Sequence, residues 1–153
     1  MEIAPMTETQ IEGFRKLAAA GYLEGDEIKI LVEMPGFALA HAWFRKDYPL
    51  TRHSHDTDCM YYVVAGSLRL GTEELGPRDC FFVPADVPYT YTPGPDGVEV
   101  LEIRHNPKFN FRNLSNNEAW WKKAEEVCRA NREEWKTAVP PSQKASQGHS
   151  PGG

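Results

Sequence analysis

What most constrains the fold of this chain is a series of short apolar runs, rich in β-branched and aromatic residues, each punctuated by proline or glycine. IKILVEM (28–34) is followed by Pro35 and Gly36, and FALAHAWF (37–44) comes directly after. MYYVVAGSLRL (60–70) carries Gly66 inside it, and CFFV (80–83) stops at Pro84. YTYT (89–92) runs into PGPDG (93–97), and VEVLEIRH (98–105) completes the set. Runs of this composition read as strands, the Gly/Pro clusters as turns, and an internal glycine as a bulge or tight bend. No helical pattern separates successive runs. The series therefore predicts an all-β sandwich or closed barrel, not a parallel sheet with crossover helices.

Helical patterns occur only at the two ends. Thr7 with Gln10 fits a capping box, and Ile11, Phe14, Leu17 and Ala18 share one face, so a helix is expected over 7–22, packed outside the main domain. Ser115 with Glu118 fits a second capping box, opening an amphipathic helix to about Lys136 with Trp120, Ala124, Val127, Cys128 and Trp135 on its apolar positions. These tryptophans are read as packing the helix on the barrel or on a second subunit; an exposed Trp120 or Trp121 would mark a partner surface. Residues 138–153 are rich in Pro, Ser, Gln and Gly and are expected to be disordered, with His149 inert among them. The expected organisation is a helical segment at 1–26, a barrel at 27–107, a C-terminal helix at 108–137 and the tail at 138–153.

Bulk properties exclude several function classes. A chain of 153 residues is one domain with room for a core. The formal net charge is -5 with no basic stripe, which argues against nucleic acid as a partner. There is no basic-then-apolar leader and no run long enough to span a bilayer, so a cytoplasmic protein without membrane contact is expected. The three cysteines, Cys59, Cys80 and Cys128, are then expected as reduced thiols. Phosphate-cradling glycine loops, a nucleophile elbow and a CxxC pair are all missing from the sequence.

The chemistry concentrates at His53 and His55. Residues two apart on a strand point to one face, so both imidazoles can reach one metal ion at about 2.1 Å. Without a bulge, Cys59 and Tyr61 share that face, with Asp56 and Asp58 opposite. HSHDTDCMYYVVAG (53–66) resembles the first motif of the cupin superfamily, in which two histidines one residue apart precede a glutamate and a glycine. Counting back from Gly66 places Cys59 at the glutamate position. GPRDCFFVPADVPY (76–89) resembles the second cupin motif: Asp79 and Pro84 match, Asp86 stands at its glycine and Tyr89 at its third histidine. The resemblance covers 28–105. It implies an all-β, cupin-type double-stranded β-helix (jelly-roll) barrel, flanked here by the N-terminal and C-terminal helices, and a homodimer.

Three readings of the altered ligand set stay open. His53, His55 and Cys59 hold a divalent metal, Zn or Fe. Alternatively, the histidines are completed by an oxygen of Asp58 or Tyr89. Or no metal binds, and His53, His55, Tyr61 and Tyr89 line a small-molecule pocket. The aromatic load suits an apolar or aromatic molecule, with Trp43 and Tyr89 as binding residues. The resemblance to certain cupin lyases puts Tyr61 at the place of a general base. The reaction, among dioxygenase, isomerase, lyase and cyclase types, is not resolved, and a non-catalytic binding or sensing cupin is the alternative. His41 is expected to be structural. His105, at the end of the last strand, is a candidate for the barrel mouth.

Overall fold

Antiparallel pairing organises the chain. The computed structural model describes residues 1–147, and His149 lies outside them. In order the elements are β1 (Glu2–Ile3), α1 (Glu8–Ala19), β2 (Asp26–Met34), β3 (Phe37–Phe44), β4 (His53–Ser54), β5 (Cys59–Leu70), β6 (Glu73–Leu75), β7 (Cys80–Val83), β8 (Thr92–Arg104), β9 (Asn110–Asn113), α2 (Glu118–Thr137) and α3 (Pro141–Gln147). Among the described residues the larger sheet runs β2-β3-β8-β5-β6, with β7 also paired to β5, and the smaller runs β1-β9-β4. A bridge between His53 and Tyr89 adds a further rung beside β4. This is the expected all-β jelly-roll barrel with a helix at each end.

Alternation builds the core. Along β5, Cys59, Tyr61 and Val63 are buried while Met60, Tyr62 and Val64 are exposed, because successive side chains leave opposite faces of a strand. The inner row of β8 matches it: Val63 pairs with Val100, Tyr61 with Glu102, and Cys59 with Arg104. Gly66 takes φ +75, and a Cβ there would collide with the Gly97 carbonyl, so this bend excludes any side chain. PGPDG does not turn the chain back as expected. It forms the start of β8, opposite a register shift between Gly66 and Leu68; the bulge absorbs the Pro/Gly irregularity and the ladder continues.

The helices pack on each other and on the barrel edge. Thr7 caps α1 through the expected box with Gln10. The second helix begins later than expected: its N-cap is Asn117, because the Ser115 hydroxyl instead accepts from the Arg52 amide at 3.0 Å. Trp121 covers Gly13 and meets Phe14 edge-on at 5.0 Å. Trp135 lies 5.8 Å from the Tyr48 ring, and its indole N–H donates to the Lys46 carbonyl at 2.8 Å. Both tryptophans are therefore structural, joining α2 to α1 and to the barrel.

Two boundaries move. The barrel does not end at 107, because β9 pairs with β4 and β1. Nor is the whole of 138–147 disordered: α3 seats on the barrel, its Ser142 amide and hydroxyl donating to the Glu99 carboxylate at 2.7 and 2.9 Å. Polar composition alone does not reveal such a docking partner.

Candidate functional site

The histidines enter the site from β4 and the residue just after it. The His53 amide and carbonyl pair with Tyr89 at 3.1 and 2.9 Å, which sets the His53 ring 4.5 Å from the Tyr89 ring. His55 is held from the other side, where its carbonyl accepts from the Asp86 amide at 2.7 Å. Asp86 takes φ 63, a left-handed conformation that aspartate tolerates better than most side chains. That is why it can stand where the resembled motif has glycine.

Both imidazoles have a defined tautomer. His53 Nδ1 donates to the Thr51 carbonyl at 2.7 Å and His55 Nδ1 to the Asn110 carbonyl at 2.5 Å. A carbonyl can only accept, so each neutral ring carries its lone pair on Nε2. The rings lie 5.0 Å apart. His53 stacks on Phe111 at 4.9 Å and His55 meets Phe109 edge-on at 5.4 Å. Burial pushes both imidazoles below the usual histidine range, His55 to about 4, with the Arg104 charge adding to the effect. Both are neutral at neutral pH.

These side chains line a cavity of about 530 Å3, together with Tyr89, Tyr91, Glu102 and Arg104 and apolar groups that include Phe44, Phe109 and Phe111. Arg104 is 5% exposed. Its Nη1 meets Glu102 at 3.1 Å, its Nη2 lies 3.4 Å from the Tyr61 hydroxyl, and its guanidinium sits 4.2 Å over the Phe109 ring. Burial opposes its charge most strongly, but Glu102 acting together with Tyr61, Cys59 and Tyr89 outweighs it, and its pKa is raised.

The other expected site residues divide. Tyr89 lies beside the histidines, as its motif position implies. Cys59 points inward, next to Arg104 across the ladder, yet it does not reach the cavity wall, and burial pushes its thiol up to about 11. Tyr61 is 1% exposed behind Tyr89, the two phenols sharing a hydrogen bond. It stacks on Phe81 at 4.6 Å. Burial raises its phenol well above the usual range, and it does not line the cavity, so its position does not suit a general base. Trp43 is a correction: Ala40 and Phe44 line the cavity and Trp43 does not. Strand alternation puts it on the outer face with His41, where Arg45 stacks 3.7 Å above it and its buried Nε1 has no partner.

The residues present do not complete a metal site. Among the described residues no three His, Cys, Asp or Glu side chains converge to hold an ion. Asp58, a possible oxygen ligand, instead accepts from the Ala85 amide at 2.8 Å. The Arg104 charge, which already disfavours protonation of both imidazoles, would also oppose a cation beside them.

The sequence reading missed Glu102, Arg104, Phe109 and Phe111. A signal existed. Glu102 and Arg104 share the parity of Val98 and Val100, placing charges on an otherwise apolar face, and Phe109 and Phe111 alternate in KFNF. His41 is structural, as expected, pairing with Glu99 at 3.1 Å.

No family model matches this sequence, and no curated protein matches it either. Similar solved structures exist. The polyketide cyclase RemF from Streptomyces resistomycificus is 21% identical with a TM-score of 0.55, covering 69% of this chain and 82% of that one. KdgF from a Halomonas species is 24% identical with a TM-score of 0.50, over 55% and 81% of the two chains. An RmlC-like cupin from Shewanella frigidimarina is 22% identical with a TM-score of 0.50, over 56% and 79%. At such identities the likeness establishes the shared barrel. No helix among the described residues is long and apolar enough to cross a membrane.

Proposed function

We propose that this chain, a cupin by fold, binds a small and largely apolar or aromatic molecule inside its barrel, using protein side chains as the polar contacts. The observation that carries this reading is the cavity of about 530 Å3, whose mainly apolar wall is broken by a few convergent polar groups. Its size admits a molecule of two or three fused rings.

The polar groups favour binding over base catalysis. With a pKa of about 4, His55 accepts a hydrogen bond well but takes a proton poorly. Tyr61 and Tyr89 are held protonated by burial. The cavity thus offers Nε2 atoms as acceptors and one fixed cation, Arg104, as donor.

One observation supports a second, metal-dependent reading. Both histidines donate Nδ1–H to carbonyls, the arrangement that frees Nε2 for ligation. Elemental mass spectrometry on untagged protein, beside a His53→Ala/His55→Ala variant, separates the two. Sub-stoichiometric metal in the wild type, with saturable binding of a bicyclic aromatic probe such as 2-ethylnaphthalene, is the expected result. Near-stoichiometric Zn or Fe that is lost in the variant would replace this reading with the metal-dependent one.

A homodimer belongs to the same proposal. β2 is an edge strand of the larger sheet, and it exposes Ile28 and Ile30 by 55% and 65%. Both also line the cavity, so a second copy seated there would cover an apolar edge and narrow the cavity's opening. Sedimentation of Ile30→Lys beside the wild type checks it, with a shift from dimer to monomer expected.

A further inference from the structure

Two neighbouring imidazoles hold acceptors that the protein itself does not use. His53 and His55 both line the cavity, and their ring centroids lie 5.0 Å apart. Each ring is anchored through Nδ1, His53 to the Thr51 carbonyl at 2.7 Å and His55 to the Asn110 carbonyl at 2.5 Å. Neither Nε2 has a partner among the described residues, and neither is closed off from water. The side-chain polar atoms there that are both buried from water and unpartnered are Trp43 Nε1, Arg104 Nε and Asn113 Nδ2. The two Nε2 lone pairs are therefore open to a molecule in the cavity. The Arg104 donors are more committed, Nη1 to Glu102 at 3.1 Å and Nη2 toward Tyr61 at 3.4 Å.

Acceptors of this kind choose a donor. A molecule that fills the cavity displaces the water that would otherwise bond these lone pairs, and one without an O–H or N–H leaves them unpaired. The surrounding surface is aromatic. His53 stacks on Phe111 at 4.9 Å and lies 4.5 Å from the Tyr89 ring, and His55 meets Phe109 edge-on at 5.4 Å. A flat ring suits these walls, and a hydroxyl on it is a compact, uncharged donor. An ammonium donor is disfavoured, because the Arg104 charge already acts on both imidazoles.

We propose that His53 and His55 are the specificity-determining residues of this cavity, and that they select a hydroxylated aromatic molecule whose O–H donates to an imidazole Nε2. The inference rests on the cavity being the binding site, and its test separates the two. Three probes are titrated by isothermal calorimetry against the full chain at pH 8, where an imidazole is neutral and a phenol is still protonated: 2-naphthol, 2-methoxynaphthalene and 2-ethylnaphthalene. The naphthol is the smallest, so apolar burial alone ranks it weakest. The methoxy compound keeps the ring oxygen and lacks the donor. Pairing the acceptor is expected to give the naphthol about a tenfold advantage over both others, and the same advantage with a metal chelator present.

Asparagine in place of histidine keeps an amide N–H to donate where Nδ1–H does and leaves no acceptor at Nε2. His53→Asn/His55→Asn is therefore expected to lose the naphthol preference while 2-ethylnaphthalene still binds, with circular dichroism reporting its fold. The single variants His53→Asn and His55→Asn carry the test if the double variant does not fold, and at least one is expected to reduce the preference. Three results would overturn the inference while leaving the cavity as a binding site. They are equal affinity of the wild type for 2-naphthol and 2-methoxynaphthalene, a naphthol preference unchanged in the folded variants, and a preference that the chelator removes, which would assign it to a bound metal. Failure of all three probes to bind would overturn both readings.

Discussion

The inner and outer faces of β3 and β8 carry polar clusters that look alike in composition and differ in how fully they are satisfied. On the outer face His41 meets Glu99 at 3.1 Å, and the same carboxylate accepts from the Ser142 amide and hydroxyl, fastening α3. Both of its oxygens are used within the protein. On the inner face Glu102 meets Arg104 at 3.1 Å, but the guanidinium keeps an unpartnered Nε, and His53 and His55 present Nε2 lone pairs to a cavity. A satisfied buried cluster rigidifies a fold; one that retains unused donors and acceptors beside an open volume is equipped to receive a molecule.

The largest test of this contrast removes the inner counter-charge. Glu102→Ala leaves the Arg104 guanidinium buried without its partner and is expected to cost about 3–5 kcal/mol in urea unfolding, with Glu102→Ala/Arg104→Met recovering much of the loss. Recovery failing entirely would mean that the pair is part of a wider network.

Acid probes the same face. His55 has its folded pKa lowered from 6.5 to about 4, so the unfolded chain binds the proton more readily. Stability is therefore fully present above pH 6.5 and falls as pH drops from about 6.5 to about 4. The loss reaches about 3 kcal/mol for this residue, and His53, lowered in the same direction, adds to it. Urea midpoints across that range are expected to flatten in His55→Gln. An unchanged slope would place the titration elsewhere.

The outer cluster is expected to matter for stability alone. Glu99→Ala strands the donors of His41 and Ser142 and is expected to cost about 2 kcal/mol, to increase proteolysis near α3, and to leave probe binding unchanged. Ser142→Ala removes one neutral hydroxyl donor and is expected to cost about 1 kcal/mol, read from the same unfolding curves. A change in probe affinity in either variant would erase the distinction between the faces.

Much of this was legible in the sequence. The run pattern indicated the barrel, Thr7 and Gln10 the start of α1, and the two motifs brought His53, His55 and Tyr89 to one place. Trp43 and Tyr61 were less legible, because an aromatic near a motif does not reveal whether it lies at the cavity wall, behind another ring, or on the opposite face. Trp43 lies on the outer face, and Tyr61 lies behind Tyr89.

The sequence by itself determined properties that are local. They are the alternation that makes strands, the capping box, and the spacing that puts two imidazoles together. Only the tertiary structure decided the long-range neighbours. Cys59 opposes Arg104 and Tyr61 opposes Glu102 across a ladder joining distant parts of the chain, and its register is reset by bulges at Val63/Ala65 and Gly66/Leu68. Parity along one strand says which residues share a face, but the partner strand and its bulges decide which face is inside and what stands opposite. The physical character of this cavity, with a fixed guanidinium beside two neutral imidazoles, follows from that pairing.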